Sequence, residues 1–166
     1  MDDGLGSADK GRNTEIKRKD EIDMAFKPVW ANKIEIGVSV SGSTWTYADL
    51  CAGIESMTFA SNEQNQQYFF LCGEGFAHNE VTGGAPELQI SGRRVEGDTA
   101  QDYITEKQFA LGTDRNSSVK ITTAEGDVIT CDCSIGDVVT FGGNTLDVNT
   151  FSCTIRFNGE PTVTSA

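Results

Sequence analysis

The 166-residue chain contains a single histidine, His78, and no Gly-x-Ser-x-Gly turn, so a hydrolase triad has no support. Nowhere do four spacer residues lead into Gly-Lys-Ser/Thr, which removes a phosphate loop, and the "GEGF" of residues 73–76 lacks the spacing of a dinucleotide fingerprint. Five cysteines include no Cys-x-x-Cys pair, the commonest sign of a zinc site. No apolar run approaches the ~20 residues of a membrane span. No hydrophobic stretch follows the N-terminal charges as it would in a secretory signal, so a protein made in the cytoplasm and kept off membranes is expected. Cations are scarce: 13 Lys and Arg stand against 25 Asp and Glu, a net charge of −12, the reverse of a protein that grips phosphates. Together these absences imply no enzyme, no cofactor and no metal.

The acidity belongs to the part that folds. Residues 1–23 carry five basic and seven acidic groups, whereas residues 24–166 carry eight and eighteen. Such a surface provides solubility, or a wall past which a polyanion slides without sticking. A pair such as Asp127 and Asp132 could be taken for catalytic carboxylates, but acidic residues on hairpin strands are ordinarily solvated.

Three segments are expected. Residues 1–32 read as a charged, flexible extension or arm, because residues 1–23 hold too few apolar side chains to offset the entropy of ordering. Residues 33–159 read as one β domain, and 160–166 as a C-terminal tail. Ile34, Ile36, Val38 and Val40 alternate with polar residues, the pattern of a strand with one buried face. "ASNEQNQQ" (60–67) is polar and reads as a loop or the frayed ends of two strands, "YFFLC" as an apolar β-run, and "GEGFAHNEVTGGAP" (73–86) as a long loop. Phe69, Phe70, Phe151 and Phe157 fall within β-runs and are expected in the core.

Asp98 is a good N-cap, Gln101 completes a capping-box spacing, and Gly112 suits the end of a helix, so a helix is expected over 98–111. Its Ala100, Tyr103, Ile104 and Leu111 share one face while Phe109 points the other way, unless the helix frays first. Cys131 and Cys133 share a strand face with Ile129 and Ile135, as buried thiols acting as small hydrophobes do. "AEGD" makes a tight connection between two β-runs, and Leu146–Phe157 reads as a later one. The sum is a mainly β fold, a β-sandwich or partial barrel with one flanking α-helix.

The order of "CAGIESMTF", "YFFLCGEGF", "LQISGRRVEGDTAQDYI", "SSVKITTAEGDVITCDCSI" and "TFGGNTLDVNTFSCTIRFNGEP" over residues 34–161 resembles the major tail tube proteins of long-tailed, siphophage-type bacteriophages. The resemblance implies a structural virion protein that is no enzyme. Its homohexameric rings would stack into a tube that genomic DNA crosses during ejection without specific binding. It further implies assembly in the host cytoplasm, residence in the virion tail, and contacts with a tape measure and a tail terminator. Carried onto this chain, Glu63, Gln64, Asn65, Gln66, Phe76 and His78 become candidates for the contact between rings. Phe109 becomes a candidate lateral contact, and Glu55, Glu63 and Glu74 candidate lining of the channel. The rival reading is a non-enzymatic binding β-sandwich, a virion decoration or an adhesion or carbohydrate-binding domain, which would present an aromatic-lined groove.

Overall fold

A computed structural model describes residues 26–166; the expected role of residues 1–23, and most of the 1–32 arm, lie outside the described residues. Ten strands and one α-helix follow in chain order: β1 Lys33–Ser41, β2 Thr44–Asp49, β3 Ile54–Ala60, β4 Glu63–Phe69, β5 Ala77–Gly84, β6 Glu87–Arg93, α1 Thr99–Glu106, β7 Asn116–Thr122, β8 Val128–Val139, β9 Thr150–Phe157 and β10 Thr162–Thr164. The main sheet has the order β2-β1-β7-β8-β9-β6-β3, every neighbour antiparallel, with β10 added to β8. Strands β2 and β3 are consecutive in sequence yet hold opposite ends of that order. The sheet therefore curls into a partial barrel whose open seam lies between them.

Alternation puts one row of side chains inside. Ile34 faces Ile121, Ile36 faces Val119, and Val119 faces Cys131 across three neighbouring strands; all are buried. On the far side Ile135, Ile155 and Leu88 form a second cross-strand row, and fully buried Phe151 stands opposite Gly92. The missing side chain at Gly92 admits the backbone of Gly53 and Ile54, which passes close to it. Removing a fully buried ring costs about 3–5 kcal/mol, so Phe151 is among the main contributors to stability. Burial pushes the Cys133 and Cys153 thiols up to about 12, as expected of cysteines packed as hydrophobes.

Helix α1 closes one side against β1, β2 and β8 through Ala100 and Ile104. The Asp98 carboxylate accepts from the Gln101 amide N–H at 2.9 Å, as a capping residue should. The Gln101 side chain does not reach back to Asp98. It is fully buried, donates to the carbonyls of Ala52 and Arg93, and accepts from the Val95 N–H, tying helix, β6 and the β2–β3 connection together.

Several expectations need correction. The helix ends at Glu106 rather than 111, and Gly112 (φ +59) instead opens a 3-10 turn over Gly112–Arg115. Leu111 is exposed, not on the buried face. Segments 60–67 and 73–86 are not mainly loops: Glu63–Phe69 and Ala77–Gly84 pair as an antiparallel hairpin. Phe69 and Phe70 lie on the surface rather than in the core, while Phe151 is fully buried and Phe157 packs half-buried against the core. The run assigned to Leu146–Phe157 is a strand only from Thr150; Leu146 is exposed in the preceding turn.

Candidate functional site

The β4–β5 hairpin stands apart from the barrel. Its two strands pair only with each other, and every residue of both is exposed. Seven paired residues give it a reach of roughly 23 Å at ~3.3 Å each. A bulge between Gln64 and Asn65 leaves Thr82 as the extra residue of β5. The faces beyond it are distinct. One carries Asn65, Gln67 and Phe69 opposite Val81, Asn79 and Ala77; the other carries Gln66 and Tyr68 opposite Glu80 and His78. On the second face Tyr68 and Phe70 stack with centroids 6.2 Å apart, and Phe70 lies 6.2 Å from the His78 ring. The tip, residues 70–76, turns tightly through Glu74 (φ +49) and Gly75 (φ +84) and holds Leu71 fully exposed and Phe76 79 % exposed. A lone two-stranded hairpin is marginal in water, and edges of this kind are normally covered or paired.

All six inter-ring candidates therefore fall on one element: Glu63 to Gln66 on β4, Phe76 at the tip and His78 on β5. Sequence reasoning missed Leu71 and Val81, which share it. For Leu71 the available signal was "YFFLC" itself, an apolar run between polar segments; Val81, a single apolar residue among polar ones, gave none.

Phe109 is 85 % exposed although its loop is firmly held. The Arg115 guanidinium donates to the carbonyls of Ala110 at 2.7 Å, Gln108 at 2.9 Å and Ile135 at 3.4 Å. Thr140 Oγ1 lies 2.8 Å from Gln108 Oε1, which brings exposed Phe141 to the same region. Phe141 escaped sequence reasoning because "DVVTF" reads as an ordinary strand end.

The three channel candidates are not one cluster. Glu55 lies on β3 with the Arg93 Nε at 3.1 Å, Glu63 begins β4, and Glu74 sits at the hairpin tip. The cations show a clearer pattern. Each of the eight among the described residues is engaged: Lys33 with Asp49, Arg93 with Glu55, Arg94 with Asp102, Lys120 with Glu35, Arg156 with Asp137, Lys27 with the Ala124 carbonyl, Lys107 over the Tyr103 ring, and Arg115 with its carbonyls. Neighbouring Asp49 and Glu35 raise the pKa of Lys33. Glu63, Glu74, Glu80, Glu125 and Glu160 have no such counter-charge among the described residues. No group of three or more His, Cys, Asp or Glu placed to hold a metal occurs among them either.

A groove of about 500 Å³ follows the seam, lined by Val29–Ile34, Asp49–Cys51 and Ile54–Met57. Four consecutive residues of β3 border it, so it runs along the edge of that strand which carries no neighbour.

No protein-family model and no curated protein matches the chain. Solved structures do. A chain in the tail of an empty gene transfer agent (GTA) particle, obtained with C6 symmetry, superposes with a TM-score of 0.64 at 12% identity, covering 84% of this chain and 100% of that one. A chain of the native GTA virion gives 0.67 at 11% identity over 84% and 100%. A chain of an extracellular contractile injection system sheath–tube complex gives 0.49 at 13% identity, covering 87% and 95%. With the whole length of both GTA chains covered, this chain shares their fold.

Proposed function

We propose that this chain is a structural subunit of a phage-like tail tube. Its copies form hexameric rings, the rings stack into a hollow tube, and genomic DNA crosses that tube during ejection. The observation that carries the reading is the β4–β5 hairpin: a projecting two-stranded sheet with apolar residues on its tip, satisfied only when another molecule covers it. Free edges at β2 and β3 add the same demand. Head-to-tail contacts that close around a rotation axis meet it without leaving a loose end. The shared fold with chains of GTA particles, one solved with sixfold symmetry, supports the geometry. The acid excess of the folded part, eight basic against eighteen acidic groups over residues 24–166, supports passage of DNA without capture. The protein is accordingly non-enzymatic, works in the virion tail after assembly in the host cytoplasm, and meets a tape measure and a terminator at the tube's ends.

Electron microscopy of the purified protein tests this: rings or tubes are expected, and isolated globules at every concentration contradict it. One observation favours the binding-module reading, the exposed Tyr68–Phe70 stack, a platform of the kind that receives a sugar face. A monomer that binds saccharide and never polymerises would establish that alternative.

A further inference from the structure

Two surfaces of this chain lack a partner, and their chemistries match. On the hairpin Phe69, Phe70 and Phe76 are 69, 57 and 79 % exposed, leaving roughly 400 Å² of ring surface at about 200 Å² each. Tyr68, Leu71 and Val81 add to this, with Phe69 and Val81 on one face, Tyr68 and Phe70 on the other and Leu71 and Phe76 at the tip, so the hairpin is apolar on both faces and at its end. The seam groove has the complementary form. Val29 and Trp30 (85 % exposed) make one wall, Leu50 and Ile54 reach through to the core, and the unpaired edge of β3 offers backbone N–H and C=O groups to an incoming strand. Peptides recognised by strand addition use such an edge, with pockets taking alternate side chains.

The hairpin of a given molecule does not fill its own groove: no hairpin residue lines it, and all are exposed. We propose that the β4–β5 hairpin of one copy docks its tip in the β3-edge groove of the next, joining copies head to tail. This rests on the tail-tube reading and deepens it, since it names both halves of one contact. Because hairpin and groove are different patches, the contact is heterologous and propagates from copy to copy instead of ending at a pair. The hairpin also carries Glu63, Glu74 and Glu80 and no cation, so two hairpins set against each other repel.

The chain contains its own probes. Of five cysteines, Cys72 on the hairpin tip and Cys51 in the groove are exposed, and Cys131, Cys133 and Cys153 are buried. Treating assembled protein with a short bismaleimide should give a ladder of covalent multimers on a denaturing gel. Cys51→Ser and Cys72→Ser should each abolish the ladder, and co-assembly of the two variants should restore dimers but nothing larger. Tubes that form without a ladder, or dimers that persist within either single variant, would overturn this contact while leaving the tail-tube reading standing. A chain that remains monomeric throughout overturns both.

Discussion

Gln101 donates its side-chain amide to the carbonyl oxygen of Ala52 at 2.6 Å, bonding the buried start of α1 to the connection that crosses the barrel seam. The same side chain accepts from Val95 N–H at 2.8 Å, so it serves as donor and acceptor in one enclosed site. Gln101→Ala would leave the Val95 N–H and two carbonyls without partners. A loss of about 2–4 kcal/mol is expected, because each orphaned buried group costs roughly 1–3 kcal/mol. Urea unfolding measures it, and a change below ~0.5 kcal/mol would show that water replaces the amide.

Glycines 92 and 136 should respond to alanine to very different extents. A Cβ at Gly92 would lie 2.1 Å from the Gly53 carbonyl oxygen and 2.8 Å from Ile54 Cα, where only backbone could yield. A Cβ at Gly136 would meet Arg156 Nη1, the end of a flexible side chain. Gly92→Ala should therefore cost on the order of 3 kcal/mol or prevent folding, and Gly136→Ala no more than about 1 kcal/mol. Equal melting temperatures for the two variants would contradict the β3–β6 geometry.

The thiols give a dependence on pH. Burial holds Cys133 and Cys153 protonated up to about 12, whereas an unfolded thiol ionises near 9. Between those values the unfolded chain releases protons that the folded chain keeps, so stability is intact below pH 9 and falls as pH rises toward 12. Unfolding midpoints measured from pH 8 to 11 should decline. At pH 8 an aromatic disulfide reagent should label two cysteines quickly in dispersed native protein and all five after denaturation. Fast labelling of a third in the native chain would contradict the core packing.

Phe109 and the hairpin test assembly separately from folding. Phe109→Ser and Phe76→Ser should each shift the unfolding midpoint by no more than the ~0.5 kcal/mol usual for exposed sites. Phe76→Ser should shorten tubes or stop stacking, and Phe109→Ser should weaken lateral closure of rings. Electron micrographs indistinguishable from wild type would remove the corresponding residue from the contact.

What could be read from the sequence follows from where each segment finds its neighbours. Ile34 and Ile36 of β1 and the Cys131–Cys133–Ile135 row of β8 were legible because they face into their own barrel, whereas Val40, expected on the same buried face, is 55 % exposed past the irregularity between Gly37 and Ser39. The Asp98 cap was legible because it is local. The hairpin was legible only in part, since a strand exposed on both faces has no apolar alternation: residues 60–67 read as a loop or the frayed ends of two strands, and Phe69 and Phe70 as core. The helix end was missed because the loop after Glu106 is held by Arg115 from beyond the turn, not by a glycine cap. The groove was invisible for a similar reason, its walls coming from segments at 29–34, 49–51 and 54–57 that meet only across the seam.

The mass of the smallest closed assembly, determined by sedimentation over a wide concentration range, tests the central claim most directly. The account predicts a species of six chains that grows in whole multiples of six as rings stack. A single chain mass at every concentration would contradict it.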